Sequence, residues 1–180
     1  MPHFWMSYFQ VDNVAETVQK AKALGGKVEI ENEYLFGGNI ALIRDPQGAG
    51  FTVYDGTQLN NGFENTVNTI IGNELHVSNA NNVIPFYEGV LGWQVGAKNA
   101  YNTYPVFSEN GNLITTIQEI DNTFKGKYEY WAIKISVENL NSTKDTILKS
   151  GGHLVSDEGN QLLCTDNSGE AFFYIREISS

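Results

Sequence analysis

Glu74 and His76 stand two residues apart in the run Ile70–Ser78, and Lys134 stands in the run Trp131–Val137. In an extended strand, residues two apart project to the same side. A carboxylate next to an imidazole can orient the ring as a general base, and a lysine facing the pair can meet developing negative charge. Glu74, His76 and Lys134 are therefore the candidates for catalysis. Two plainer readings stand beside this one. A single histidine on a half-buried strand is ordinarily a hydrogen-bonded core or rim residue, and Lys134 can simply be the structural ion-pair partner of Glu74. Tyr101 and Tyr104 lie in the Asn-rich stretch Lys98–Tyr104, where a loop at a cavity mouth could stack on a flat organic molecule, each tyrosine offering a ring face and a hydroxyl. Ordinary half-exposed loop tyrosines are the alternative. Ser136 and Thr115 join Tyr101 and Tyr104 as expected ligand contacts. His3 falls in the terminus and His153 opens a strand, so neither is a candidate. No phosphate loop, Ser-His-Asp set or zinc-knuckle spacing is present.

The elements that must position these residues repeat. The strand Trp5–Val11 reappears as Trp131–Val137, and Gly25-Gly26 as Gly151-Gly152, both at the same offset (131 − 5 and 151 − 25 are each 126). The turn Asp45-Pro46-Gln47-Gly48 returns as Asp166-Asn167-Ser168-Gly169 at 166 − 45 = 121, so a connection is shorter in the second copy. In the first copy Asn13 and Glu16 have capping-box spacing, and Val14, Val18, Ala21 and Leu24 share a helix face that ends at Gly25. Strands over Lys27–Glu31, Asn39–Arg44 and Gly50–Asp55 follow, then an Asn/Gly/Thr-rich linker, residues 56–69. A middle unit of the same order has a strand over Ile70–Ser78 and a helix capped by Asn82, with Pro85 in its first turn and Gly92 at its end. Its remaining strands fall near Trp93–Lys98, Thr103–Ser108 and Leu113–Glu119, and the last unit runs over Tyr128–Glu177 with a helix at Asn141–Ser150. The order is strand, helix, strand, strand, strand, written three times.

Phe86–Trp93, the glycine pairs that close the helices and the Asp45–Gly48 turn make the chain resemble the vicinal oxygen chelate superfamily, which includes glyoxalase I, bleomycin-resistance proteins and extradiol dioxygenases. It is most similar to tandem glyoxalase-like proteins of unknown substrate. The resemblance implies an α+β fold of βαβββ modules, two of which form an eight-stranded, cup-shaped sheet with helices outside. Residues 70–180 would make one two-module domain. Residues 1–55 would be a single module with an unpaired sheet edge, which proteins cover, so a homodimer through the N-terminal modules is expected. Loss of a preceding module from the chain is the alternative. Strand alternation places Glu74, His76, Lys134, Ala132 and Ser136 on the cup side.

Metal-dependent members of the superfamily hold a divalent cation through residues of the first and last strands of each module. The resemblance maps those positions to Met6, Gly72 and Ala132, and to Thr52, Thr115 and Phe173, none an ordinary ligand of a catalytic metal. The expectation is therefore a small-molecule-binding protein with no metal and no cofactor. A metal-dependent lyase or dioxygenase, and a degenerate module kept for assembly with a partner, are the alternatives. Composition narrows the ligand. Eleven Lys and Arg against 21 Asp and Glu give a formal charge of −10, which disfavours nucleic acid and anionic membranes and suits a neutral or cationic organic molecule. No apolar run approaches a membrane span, and the lone Cys164, in Leu162-Leu163-Cys164, reads as a buried thiol in a reducing, cytoplasmic setting.

Overall fold

The computed structural model describes residues 3–59 and 66–178. The first module supplies β1 (Tyr8–Gln10), α1 (Val14–Ala23), β2 (Lys27–Leu35), β3 (Gly38–Arg44) and β4 (Gly50–Tyr54). These strands form one sheet in the order β1-β4-β3-β2, with β1 parallel to β4. The side chain of Asn13 accepts from the backbone N–H of Glu16 and starts α1. Val14, Val18 and Ala21 on that helix are fully buried, whereas Leu24 is exposed.

The second module contributes β5 (Ile70–Val77), α2 (Ile84–Leu91), β6 (Gln94–Val95), β7 (Thr103–Phe107) and β8 (Leu113–Glu119). A short helix α3 (Asn122–Lys125) leads to the third module, built from β9 (Tyr130–Val137), α4 (Leu140–Lys149), β10 (His153–Asp157), β11 (Gln161–Thr165) and β12 (Phe172–Glu177). All eight strands join one open sheet, ordered β10-β11-β12-β9-β5-β8-β7-β6. Its centre is the antiparallel pair of module-opening strands, β5 and β9. The helix α2 differs from the expectation at its start. Asn79, not Asn82, accepts from a backbone N–H and opens a 3-10 turn over Ala80–Asn82, and α2 begins after Val83 without a side-chain cap. Pro85 in the first turn makes this start possible, because proline needs no N–H partner there. Gly92 ends α2 at φ 67°, a left-handed conformation that glycine adopts without strain.

The first module is not paired edge to edge with the others, yet its helix-side face is covered. Helices α1 and α2 pack together between the two sheets. Phe9 and Phe51 of the first module meet Trp131, Trp93, Tyr87 and Phe86, with ring centroids between 5.0 and 6.2 Å apart. The turn beginning at Asp45 locks this junction. Its Oδ1 accepts from the N–H groups of Gln47, Gly48 and Ala49, and its Oδ2 accepts from the Tyr87 hydroxyl, which in turn accepts from the Trp131 indole. Burial pushes the Asp45 carboxyl up to about 6, against the pull of those donors. Trp131 and Trp93 are core residues, whereas Trp5 is 36% exposed. On the outer side of the large sheet, α4 covers Leu162, Cys164 and Ile175. Burial pushes the Cys164 thiol up to about 11. Among the described residues no helix is long and apolar enough to cross a membrane.

Candidate functional site

The register between β5 and β9 sets Gly72 opposite Lys134, Glu74 opposite Ala132 and His76 opposite Tyr130. These residues share the face turned away from α2, while Leu75 and Trp131 take the other. The three catalytic candidates of the sequence converge on it. Lys134 Nζ lies 2.9 Å from Glu74 Oε2, and His76 Nε2 lies 3.1 Å from Glu74 Oε1. The Thr116 hydroxyl, one strand over on β8, also donates to Glu74 Oε2. Burial alone would raise the Glu74 carboxyl, but the His76 hydrogen bond, the Lys134 charge and Thr116 outweigh it and hold it well below the usual carboxylate range. Glu74 is therefore a carboxylate, which accepts only. It follows that His76 Nε2 carries a proton, and in the neutral ring Nδ1 is left to accept from the Tyr130 hydroxyl 2.9 Å away.

The Tyr174 hydroxyl closes the cluster, 3.3 Å from His76 Nε2 and 3.4 Å from Glu158 Oε1. Burial, aided by the charges of Glu74 and Glu158, raises its phenol far above the ordinary tyrosine range. Burial does the same at Tyr130, aided by Glu129 and Glu74. Both rings remain phenols at physiological pH, donors rather than bases. His76 is fully buried, its side chain wholly shielded from solvent, whereas Lys134 keeps 19% of its side chain exposed. His76 does not line the cavity over this face. It bonds Glu74 and Tyr130.

Over this face lies a cavity of about 800 Å³, lined by Glu74 and Tyr174 together with Tyr101, Thr103, Gln118 and Glu158. Tyr101 is 81% exposed at its mouth. The other expected ligand contacts are placed differently. Tyr104 pairs with Ile117 in β7–β8 and is buried on the helix side. Thr115 shares that side, and its hydroxyl bonds to the carbonyl and side chain of Asn73. Ser136 faces the cup side by alternation but is fully buried, its hydroxyl taken by the backbone of Thr66 and Thr69. The cavity residues that sequence reasoning passed over include Tyr174, Gln118 and Glu158. Gln118 shares the parity of Thr116, which offered a signal. Tyr174 sits in Phe172–Ile175, apolar at every position, which offered none.

No family model matches the chain. Two curated proteins from Mycobacterium bovis and Mycobacterium tuberculosis, each described as "Putative glyoxylase CFP32", are 24% identical over 161 residues, 87% of this chain. The chain spans 61% of their length. Among solved structures, the Mn(II)-bound glyoxalase from Novosphingobium aromaticivorans superimposes with a TM-score of 0.55 at 17% identity, over 96% of this chain and 62% of that one. The 2,3-dioxygenase LapB from Pseudomonas sp. KL28 gives 0.56 at 11% identity, over 96% and 71%. The chain has the vicinal oxygen chelate fold.

One of these vicinal oxygen chelate structures is Mn(II)-bound, so the donors here can be asked whether they would fit a divalent ion. Gly72 and Ala132 carry no donor atom, and Thr115 and Phe173 lie on the helix side. Met6 and Thr52 belong to the first module, whose strands form a separate sheet. The cup-side donors Glu74 and His76 already have their oxygens and ring nitrogens engaged with Lys134, Thr116, Tyr130 and each other. Among the described residues no three His, Cys, Asp or Glu side chains gather at one point. The donor set does not fit a divalent metal, because an ammonium holds the carboxylate such an ion would need.

Proposed function

We propose that the protein binds a small neutral or cationic organic molecule in the cavity over Glu74 and Tyr174, without a metal and in the manner of a drug-sequestering protein. The observation that carries this reading is the consumption of the ionic groups. Glu74, His76 and Lys134 satisfy one another, so the cavity offers uncharged donors and acceptors, an exposed aromatic face at Tyr101 and the carboxylate of Glu158. Among the described residues no cation pairs with Glu158, whose contacts are Gln161 and Tyr174. A flat cation would stack on Tyr101 and place its charge near Glu158. Isothermal titration with a panel of cationic aromatic antibiotics should give saturable binding that Tyr101→Ala and Glu158→Gln each weaken about tenfold. Silence across the panel overturns the reading. Stoichiometric metal in protein purified without chelator would favour a lyase or dioxygenase instead. A cytoplasmic location accords with the free, buried thiol of Cys164.

We also propose that the first module pairs with its counterpart in a second copy. The strands β5 and β9 that open the other modules pair with each other, whereas among the described residues β1 stands at the edge of its sheet with β4 as its strand neighbour. Exposed Tyr8, Ile30 and Leu35 lie on the same module. Light scattering should return twice the chain mass, falling to one chain in Tyr8→Lys. A wild-type monomer at micromolar concentration refutes this.

A further inference from the structure

A second cavity, of about 210 Å³, lies where the first module meets the end of the cup. Phe4 and Gly50 line it from the first module, and Tyr128, Tyr130 and Phe172 from the third. Tyr130 and Phe172 stack with ring centroids 4.5 Å apart and planes within 15°. The charged groups deepest in its wall are already engaged. The buried Lys125 ammonium donates to the carbonyls of Gly126 and Tyr128 and pairs with Glu129 at 3.0 Å. Arg44 pairs with Glu29 at 2.8 Å and donates to the Gly48 carbonyl. Lys127 at the rim sits over the Tyr128 ring. Glu170, also at the rim, accepts from the His3 backbone N–H. The two rim charges, Lys127 and Glu170, are of opposite sign, so the walls offer an occupant chiefly ring surface and no net charge to compensate a charged guest.

We propose that this crevice is a second binding site, separate from the cup cavity, for a flat uncharged aromatic molecule of one or two rings. The size fits, since an apolar cavity of about 150 Å³ already takes benzene. The two sites share a thin wall. Tyr130 lines the crevice with its ring, while its hydroxyl reaches His76, which holds Glu74 on the cup side.

Indole is a suitable probe, followed by saturation-transfer NMR and titration of the whole protein. Gly50→Leu should block the site, because a Cβ at Gly50 meets only the Phe4 ring, at an ordinary 3.6 Å, and the longer side chain then extends into the crevice. The expected result is saturable indole binding, weakened at least about tenfold by Gly50→Leu and changed less than about twofold by Tyr101→Ala at the cup mouth. Absence of saturable binding overturns the proposal, as does loss in Tyr101→Ala with retention in Gly50→Leu. Should Gly50→Leu fail to fold by circular dichroism, Tyr128→Ala at a half-exposed wall decides. A loss of about fivefold or more with an unchanged melting temperature supports the site, and unchanged affinity refutes it. The outcome is independent of whether the cup binds cationic aromatics.

Discussion

Replacing Lys134 with methionine keeps most of the side-chain volume and removes the ammonium that lies 2.9 Å from Glu74 Oε2. Glu74 is 5% exposed, so its carboxylate would be left buried with His76 and Thr116 as its remaining partners. Breaking a buried ion pair by removing one member costs about 3–5 kcal/mol. Because solvent reaches 19% of the Lys134 side chain, the low end applies, and about 3 kcal/mol is expected at pH 7. Urea unfolding followed by circular dichroism measures this as a lower midpoint at unchanged slope. Glu74→Gln should cost less, about 1–2 kcal/mol, since the lysine it strands can turn to water. In the double variant the losses should fall short of additivity by about 2 kcal/mol. The sign of the pH dependence follows from the lowered Glu74 pKa. Its contribution is present above 4.5, the value of the unfolded chain, and is lost as pH falls through the lower folded value. Lys134→Met raises that folded value, so the gap between variant and wild type should narrow below about pH 4.5. A Lys134→Met cost under about 1 kcal/mol at pH 7, with additive losses in the double variant, would refute the buried-network account.

Asp45 predicts the opposite slope. With its folded pKa raised to about 6 from 3.8, it favours the folded state fully below 3.8, and that contribution declines as pH rises through about 6. The decline amounts to about 3 kcal/mol, and Asp45→Asn should flatten the urea midpoint across that window relative to wild type. Gly38→Ala would place its Cβ 2.3 Å from the backbone of Gly56. With backbone on the far side, relief requires a chain shift, so a cost of about 1–3 kcal/mol in a melting experiment is expected.

Much of the site was legible because the period of two is rigid wherever one parity is apolar. Leu75 and Val77 mark one side of β5, and Trp131, Ile133 and Val137 mark one side of β9. Glu74, His76 and Lys134 could fall only on the other, and the β5–β9 register then brings them together. The same rule breaks down at β8. Ile114 and Ile117 stand at opposite parities, so the sequence does not say which side Thr115 takes, and it is the pairing of Leu75 with Ile117 that turns Thr115 toward the helices. Tyr104 was readable: it shares the parity of Val106 in a strand whose apolar side packs on α2. Its place in an Asn-rich stretch drew it toward the loop reading. Ser136 shows a different limit, since its hydroxyl is claimed by backbone 67 and 70 residues away, a closure no local pattern contains. The family resemblance implied an eight-stranded sheet built from two modules, and the strands of the last two modules are ordered in one such sheet. What the repeats did not forecast is that the first module stacks through its helix.

That stacking has a thermodynamic consequence. Phe9, Phe51, Tyr87, Trp93 and Trp131 belong to a single hydrophobic cluster drawn from all three modules. Neither part can melt alone without wetting the aromatic faces of the other, so heat absorption should come as one cooperative event despite two separate sheets. Covalent continuity through residues 56–69 is then secondary, and a nick there should leave the pieces clasped.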